Sequence, residues 1–298
     1  MLYDHLTHDM NKAKLLMIQG TSSGSGKTTL VTAFCRIFSN MGYRVAPFKA
    51  QNMSSSAYNI KNTSKQMALA QAIQAIASRK KPDVRMNPVL LKPLGDYRSM
   101  VILGGKIYDE MYAKDYYEKF ILQKAFPFTL NELESLRKEN DLVIIEGAGS
   151  PAEVNILKYD IANMLLAHKV GAPVIITSDI ERGGCFASIV GTMELLKPIH
   201  RQLIKGFIIN KFRGDKSLLK PAIKSVEKIT RKCFFGIIPR VDFSLPNEDS
   251  LDGQTSDKAV MSEEHWDTQI SLIAKTVSKS IDIQKLSTKV IGHSKWRR

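Results

Sequence analysis

Short apolar runs alternate with longer amphipathic segments along most of this chain. Six runs are brief, apolar and rich in branched residues, which is typical of strands buried on both faces; they are residues 15–19, 43–48, 142–146, 173–178, 206–210 and 234–238. Six segments carry apolar residues at helical spacing; they are residues 27–41, 64–79, 130–139, 160–168, 186–195 and 218–230. Because parallel neighbours need a crossover, usually a helix, this alternation predicts an α/β fold with a mostly parallel, doubly wound sheet.

The pattern breaks at residues 244–254, where proline, asparagine, aspartate and glycine cluster without apolar periodicity. We therefore expect one domain over residues 1–253 and a short, basic, partly helical tail over residues 254–298. A hydrophobic content of 44% suits a chain that buries a core. The longest apolar runs are about four residues, far short of the roughly 18 that cross a bilayer, so we expect no membrane span.

The segment after the first predicted strand reads as a phosphate-binding loop, with the sequence GTSSGSGKT over residues 20–28. Small residues let consecutive backbone N–H groups point at phosphate oxygens, and the following helix adds partial positive charge. Five residues separate the two outer glycines of this loop, one more than in the standard P-loop. We expect Lys27 to reach the terminal phosphates and the Thr28 hydroxyl to ligate Mg²⁺. The predicted nucleotide contacts are Gly20, Thr21, Gly24, Ser25, Gly26, Lys27, Thr28 and Thr29.

Three further strand ends carry polar side chains, at the edge of a parallel sheet where ligands collect. Lys49 follows the second strand beside Gln51 and Asn52, and it is either a surface lysine or a cation for a substrate carboxylate during phosphoryl transfer. Glu146 ends an apolar strand, where a lone carboxylate suits Mg²⁺; the alternative is an ordinary strand-end glutamate. Asn210 offers a donor and an acceptor together, as the edge of adenine requires, or it caps its strand.

The chain carries 43 basic and 29 acidic residues, a formal net charge of +14. This excess favours an acidic partner, which is a nucleic acid, an anionic lipid or a polyanionic small molecule. Three cysteines, Cys35, Cys185 and Cys233, stand far apart without a C-x-x-C pair, which argues against disulfides or a thiolate zinc site. No export signal is visible, so we expect a cytoplasmic protein.

These motifs place the chain near the dethiobiotin-synthetase-like branch of P-loop proteins, which has the lengthened loop. Partitioning ATPases of that branch carry an extra lysine early in the loop, where this chain has Ser22. From about residue 15 to residue 253 the chain resembles the cobyric acid synthase family. The segments that carry the resemblance are residues 46–53, 86–93, 146–153, 160–164, 182–184, 210–215 and 248–251.

The resemblance implies an activity and a set of roles. Members of this family use ATP and Mg²⁺ to amidate the b, d, e and g carboxylates of adenosylcobyrinic acid a,c-diamide through acyl phosphates, giving adenosylcobyric acid in cobalamin biosynthesis. By resemblance Lys27, Lys49 and Glu146 are catalytic and Asn210 binds adenine. The residues expected on the corrinoid side are Gln51, Asn52, Asn87, Lys92, Asp160, Asn163 and Arg182.

Two departures from the family stand out. Gln66 occupies a position where the family has an acidic residue that helps to hold Mg²⁺, so the expected metal ligands are Thr28, Glu146 and a weaker Gln66. Family members also continue into a glutaminase domain, and none of the three cysteines lies in a nucleophile-elbow context. Ammonia would then come from a separate glutaminase subunit or from solution, or the chain is a truncated or decayed enzyme.

Other functions stay open at this point. A related ligase, such as a cobyrinic acid a,c-diamide synthase or a dethiobiotin synthetase, is the nearest alternative. A partitioning-type ATPase that binds DNA or membrane is a second, and a catalytically inactive corrinoid-binding remnant is a third. The enzyme hypothesis predicts a corrinoid substrate and neither a nucleic acid nor a membrane partner. The sequence leaves the order of the amidations and the oligomeric state open, with a homodimer as one option.

Overall fold

The computed structural model describes residues 12–243 and 263–292, and its centre is a six-stranded parallel sheet. The strands of this sheet are β1 (Lys14–Gly20), β2 (Val45–Phe48), β9 (Leu142–Glu146), β10 (Val174–Asp179), β11 (Ile204–Phe212) and β12 (Cys233–Pro239). Their order is β12-β11-β10-β1-β9-β2, so the first strand lies in the middle, with β9 on one side and β10 on the other. All six predicted strands are confirmed, with bounds that differ by two residues or fewer.

Helices cover both faces of this sheet. They are α1 (Lys27–Asn40), α2 (Leu69–Ala77), α3 (Ala113–Asp115), α4 (Phe126–Glu139), α5 (Met164–Val170), α6 (Cys185–Leu195), α7 (Pro198–Arg201), α8 (Lys220–Thr230), α9 (Glu263–Ser280) and α10 (Ile283–Leu286). Alternate residues of β1 enter two separate apolar clusters, Leu15 and Met17 in one and Leu16 and Ile18 in the other. Since successive side chains of a strand point to opposite faces, the predicted doubly wound α/β fold is confirmed.

A second sheet between residues 51 and 112 was not predicted from the sequence. It has the order β3-β6-β7-β8, in which β3 and β6 are parallel and the other pairs antiparallel. Its strands are β3 (Gln51–Met53), β6 (Val89–Gly95), β7 (Arg98–Leu103) and β8 (Lys106–Tyr112). A π-helix, Tyr116–Ala125, follows this sheet and leads directly into α4. Because β3 begins at Gln51, three residues after β2 ends at Phe48, this second sheet lies next to the carboxyl end of β2.

Three predicted helix starts are wrong. The helix predicted over residues 130–139 begins earlier, at Phe126 of α4. The prediction for residues 64–79 includes a strand, β5 (Gln66–Ala68), which pairs with β4 (Ala57–Asn59) before the helix begins at Leu69. The prediction for residues 160–168 begins too early, because Asp160 lies in a turn and the helix starts at Met164. Asp160 Oδ1 accepts hydrogen bonds from the Ala162 N–H and from Asn163 Nδ2 just before α5 begins.

The second described range, residues 263–292, lies against the first. Helix α9 packs on α1, and its residues Trp266, Ile270 and Ile273 belong to the apolar cluster that contains Phe34 of α1. The predicted break at residues 244–254, segment 248–251 and the basic end at residues 295–298 lie outside the described residues. The predicted division into a domain and a tail stays a prediction. No helix within residues 12–243 and 263–292 has the length and apolar content needed to cross a membrane.

Candidate functional site

The phosphate-binding loop joins the end of β1 to the start of α1, as predicted. Gly24 and Gly26 both adopt left-handed backbone conformations, with φ of +68° and +96°. A Cβ atom on Gly26 would lie 1.9 Å from Asn210 Nδ2, so only glycine fits at this position. Asn210 Nδ2 also donates to the Ser25 carbonyl oxygen at 3.1 Å. The structure thus brings the end of β11 directly against the loop.

Lys27 is the first residue of α1 and lies almost completely buried, with 7% of its surface exposed. Its ammonium group donates to the carbonyl oxygens of Ser22, at 2.9 Å, and Gly149, at 3.0 Å. Ser22 belongs to the loop itself, and Gly149 follows β9. The ammonium group of Lys27 therefore joins the phosphate-binding loop to the segment after β9, at the carboxyl end of the sheet.

A buried carboxylate, Glu146 at the end of β9, collects three donors. Lys49 Nζ lies 2.9 Å and Thr28 Oγ1 lies 2.8 Å from Glu146 Oε1, and Gln74 Nε2 donates to Oε2. Glu146 is 0% and Lys49 is 4% exposed, so both charges are desolvated and stabilised by each other. We call Thr28, Lys49, Gln74 and Glu146 the carboxylate cluster.

Gln74 was missed by the sequence analysis, although a signal was present. Helix α2 repeats glutamine at positions 71 and 74, one turn apart, in an otherwise apolar segment. Both side chains are fully buried, and Asn52 Nδ2 donates to Gln71 Oε1 at 2.8 Å. A pair of amides on the apolar face of a helix predicts a buried polar contact, because such groups need partners.

The structure places the other residues predicted beside Lys49 in the second sheet. Gln51 accepts a hydrogen bond from the hydroxyl of Tyr116 at 2.7 Å. The side chain of Asn87 donates to the carbonyl oxygens of Lys49 and Val89, and its Oδ1 accepts from a backbone N–H. The Asn87 amide therefore holds the strands around Lys49 together, and its predicted contact with a corrinoid stays a prediction.

Gln66 is not joined to the carboxylate cluster by a hydrogen bond among the described residues. Its Oε1 accepts from Lys92 Nζ at 2.5 Å, and Lys92 belongs to β6 of the second sheet. Gln66, which was predicted to bind the metal, therefore contacts Lys92, which was predicted to bind the corrinoid. The assignment of Gln66 as a metal ligand stays a prediction.

Asp160 and Asn163 lie next to the turn that follows Glu146. Asn163 Nδ2 donates to the carbonyl oxygen of Ala148 and, at 3.2 Å, to Asp160 Oδ1. Burial raises the pKa of Asp160 to about 7, against the lowering effect of these hydrogen bonds. Arg182, in contrast, is exposed, and its guanidinium lies 3.9 Å from where a Cβ on Gly24 would be. Arg182 is therefore placed above the phosphate-binding loop rather than beside Lys49.

A cavity of about 270 Å³ has Asn210 among its lining residues, and none of the four members of the carboxylate cluster lines it. We call it the strand-end cavity, because residues at the ends of β11 and β12 line it. The residues that line it include Thr29, Asn210, Lys211, Pro239, Arg240, Phe243, Ile273, Thr276 and Val277. These residues come from the ends of β11 and β12, from the segment that follows β12 and from α9.

The oxygen donors at this edge of the sheet fit a hard divalent cation. The hydroxyl of Thr28 and the carboxylate of Glu146 already lie within hydrogen-bond distance of each other. Mg²⁺ prefers oxygen ligands, usually takes only one or two carboxylates from the protein and completes its shell with phosphate and water. These two side chains therefore suit Mg²⁺ beside a phosphate group.

Neither Cys35 nor Cys185 has the properties of a nucleophile. Cys35 is buried in α1, and burial raises the pKa of its thiol to about 12. Burial likewise raises the pKa of Cys185 to about 11. Reactive cysteines need a lowered pKa, because the thiolate is the nucleophile. These two thiols are structural.

Residues 16–250 match the family model described as the CobQ/CobB/MinD/ParA nucleotide binding domain. The chain is 53% identical over 241 residues to a probable cobyric acid synthase of Thermococcus kodakarensis, covering 80% of this chain and 49% of that protein. It is 50% identical over 242 residues to a cobyric acid synthase of Dehalococcoides mccartyi, covering 80% of this chain and 47% of that protein. These relatives confirm the predicted resemblance. The chain spans about half the length of the curated relatives it matches.

Among solved structures, the signal recognition particle receptor FtsY of Elizabethkingia anophelis in complex with GDP is similar, at 14% identity and a TM-score of 0.47. The similarity covers 77% of this chain and 58% of that one.

Proposed function

This chain belongs to the CobQ/CobB/MinD/ParA nucleotide-binding domain family, and from that premise we propose that it is an ATP-dependent carbon–nitrogen ligase of the cobyric acid synthase type. Its substrate is adenosylcobyrinic acid a,c-diamide, whose b, d, e and g carboxylates it amidates to give adenosylcobyric acid in cobalamin biosynthesis. The observation that carries the proposal is the carboxylate cluster, which sets Lys49 and Thr28 on one buried carboxylate beside the P-loop lysine. The identity to cobyric acid synthases supports the choice of substrate.

The chemistry requires activation of a carboxylate, because its oxygen is a poor leaving group. A carboxylate oxygen of the substrate attacks the γ-phosphorus of ATP, the bond to the β,γ-bridging oxygen breaks, and ADP leaves with its electron pair. Ammonia then attacks the acyl carbon, loses a proton and displaces inorganic phosphate. In both steps negative charge moves between oxygens, so well-placed cations lower the barrier.

Two lysines supply this charge in the proposal. Lys27 exchanges its bonds to the Ser22 and Gly149 carbonyl oxygens for the terminal phosphates of ATP, because these oxygens carry more charge than a carbonyl. Lys49 orients the substrate carboxylate towards the γ-phosphorus. Its bond to Glu146 keeps the ammonium group charged and in place in a site that excludes water.

Thr28 and Glu146 would hold Mg²⁺, which would neutralise phosphate charge when bound. Lys49 and Gln74 hold the Glu146 carboxylate in a fixed orientation for this ligation. Asn210 would contact the adenine edge, although its Nδ2 already donates to the Ser25 carbonyl. Its Oδ1 acceptor would then be the group that faces the base.

The remaining assignments concern the corrinoid and the nitrogen source. Gln51, Asn52, Lys92, Asp160, Asn163 and Arg182 would face the substrate, and the net charge of +14 suits a ligand that bears several carboxylates. In this proposal ammonia comes from solution or from a separate glutaminase subunit, and neither Cys35 nor Cys185 is assigned to glutamine hydrolysis, because burial raises the pKa of each thiol. The proposal places the enzyme in the cytoplasm, without a nucleic acid or membrane partner.

Mass spectrometry of the corrinoid product tests this proposal. The purified chain is incubated with the diamide, ATP, Mg²⁺ and either ammonium or glutamine. We expect a mass loss of about 1 Da for each carboxylate converted with ammonium, and none for Lys49→Met. Lys61→Met is the matched control, because Lys61 is exposed and pairs with Glu263 far from the cluster. An unaltered corrinoid, with nucleotide consumed only after DNA or lipid is added, would contradict the proposal and favour the ATPase switch.

A further inference from the structure

Helix α9 is joined to α1, the helix that follows the phosphate-binding loop, through a buried cation. Arg36 of α1 is only 2% exposed, and its guanidinium donates to Asp267 Oδ1 at 2.6 Å and to Ser271 Oγ at 3.4 Å, both on α9. A buried cation needs a counter-ion, because its charge is removed from water. Asp267 supplies this counter-ion from a helix that lies outside the family match at residues 16–250.

The same guanidinium also holds the last turn of α2. Arg36 Nε donates to the Ala77 carbonyl oxygen at 2.9 Å, and its Nη2 donates to the Ile76 carbonyl oxygen at 3.2 Å. The last carbonyl groups of a helix have no partner within the helix, and a positive charge is favourable there. Helix α2 has only nine residues, and helices this short depend on tertiary contacts. Arg36 therefore stabilises the C-terminal turn of α2.

The turn that Arg36 stabilises carries one member of the carboxylate cluster. Gln74 lies in this last turn of α2, and its Nε2 donates to Glu146 Oε2. Thr28, in the first turn of α1, donates to Glu146 Oε1. The two oxygens of the carboxylate are thus held from two helices, and Arg36 joins these helices to each other. A shift of the last turn of α2 would move Gln74 and change the orientation of the carboxylate.

We propose that Asp267 is a positioning residue for the Glu146 carboxylate. It holds Arg36, which in turn holds the turn that carries Gln74. The inference rests on the proposed ligation of Mg²⁺ by Thr28 and Glu146, and it gives α9 a role in metal affinity. Groups that orient a metal ligand change metal affinity by about 10- to 100-fold. Asp267 acts at a greater distance than Gln74, so its effect is smaller.

Two acidic residues of α9 make a matched test. The side chains of Asp267 and Glu263 are similarly exposed, at 53% and 57%, and they form ion pairs with the buried Arg36 and the exposed Lys61. In the chain without nucleotide or metal, we expect Asp267→Ala to shift the side-chain amide signals of Gln74 in ¹H–¹⁵N nuclear magnetic resonance spectra. Loss of these signals in Gln74→Leu identifies them. Glu263→Ala should leave them where they are in wild type.

Metal affinity gives the second readout, by titration calorimetry of the ADP-saturated chain with Mg²⁺. We expect Asp267→Ala to weaken Mg²⁺ binding about fivefold, because the Glu146 carboxylate is no longer held in one orientation. Its affinity for ADP without Mg²⁺ should stay within about twofold of wild type, because the phosphate-binding loop is intact. Glu263→Ala should bind both ligands as wild type does. A loss of stability alone would move neither readout.

The outcomes separate this inference from the proposed function. Unchanged Gln74 signals in Asp267→Ala would overturn the inference, and so would wild-type affinity for Mg²⁺ or equal changes in Glu263→Ala. A wild-type chain that yields no amidated corrinoid, while Asp267→Ala shows both changes, would overturn the proposed function and leave this inference standing. If Asp267→Ala does not fold, Asp267→Asn, which removes the charge and keeps the size of the side chain, is measured with the same expected results.

Discussion

The buried ion pair between Lys49 and Glu146 can be tested through stability, independently of any substrate. Lys49→Met keeps most of the aliphatic stem and removes the ammonium group from a site that is 4% exposed. Removal of one partner from a buried ion pair costs about 3–5 kcal/mol, because the other charge stays buried without its counter-ion. Thr28 and Gln74 still donate to the Glu146 carboxylate. We therefore expect the lower end, a loss of about 3 kcal/mol in the free energy of unfolding.

Urea unfolding at pH 7 measures this loss, with tryptophan fluorescence and far-ultraviolet circular dichroism as two probes. Coincident transitions justify a two-state analysis, and an unchanged slope assigns the shift in midpoint to stability. Lys61→Met is the control, because its ion pair with Glu263 is exposed on both sides and solvent screens it. We expect the midpoint of the control to equal that of wild type.

A double variant, Lys49→Met with Glu146→Leu, refines the test. Replacement of a whole buried ion pair by apolar groups is often neutral, so we expect the double variant to regain most of the lost stability. An unchanged urea midpoint for Lys49→Met would refute the reasoning, since it would mean that the carboxylate does not depend on the ammonium group. A double variant less stable than Lys49→Met would show that Thr28 and Gln74 satisfy the carboxylate by themselves.

Three further predictions concern the loop, the pH dependence and the metal. Gly26→Ala should weaken ATP binding at least 100-fold in calorimetry, because the added Cβ would collide with the side-chain amide of Asn210. Gly42→Ala is the control, since Gly42 has a similar φ of +87° and no other atom lies within 4 Å of where its Cβ would be; this variant should bind ATP as wild type does. Asp160 holds a proton in the folded chain between pH 3.8 and about 7, where the unfolded chain has lost it, so stability falls as pH rises through this window. The melting temperature of wild type should therefore fall relative to that of Asp160→Asn between pH 5 and 8, and parallel curves would contradict this. Gln66→Glu should pair with Lys92 and leave the Mg²⁺ concentration for half-maximal turnover unchanged; a clearly lower requirement would place Gln66 on the metal.

The central sheet and the phosphate-binding loop could be predicted because their physical signals are local. A strand buried on both faces is a continuous apolar run, so residues 142–146 were identified to the residue. A ligand site at the carboxyl ends of such strands follows from the topology, and Lys49 and Glu146, which lie far apart in the sequence, do form an ion pair there.

The parts that were missed depend on contacts distant in sequence. Strand β8 is exposed along most of its length, so Lys106–Tyr112 shows no apolar alternation, and only its pairing with β7 makes it a strand. Gln74 carries a local signal, an amide on the apolar face of a helix, but its partner Glu146 is identified only when α2 is placed beside β9. The apolar residues of α9, such as Ile270 and Ile273, predict an amphipathic helix, but the sequence does not reveal that α1 is the surface they cover.

The central position of β1 has a consequence for synthesis of the chain. Its neighbours β9 and β10 begin at Leu142 and Val174, so more than 100 residues must leave the ribosome before β1 gains its first partner in the sheet. The apolar surface of α1 waits longer still, for Ile270 and Ile273. Exposed apolar segments of this kind attract chaperones and aggregate. We therefore expect the nascent chain to stay protease-sensitive at least until Ile270 and Ile273 have been synthesised.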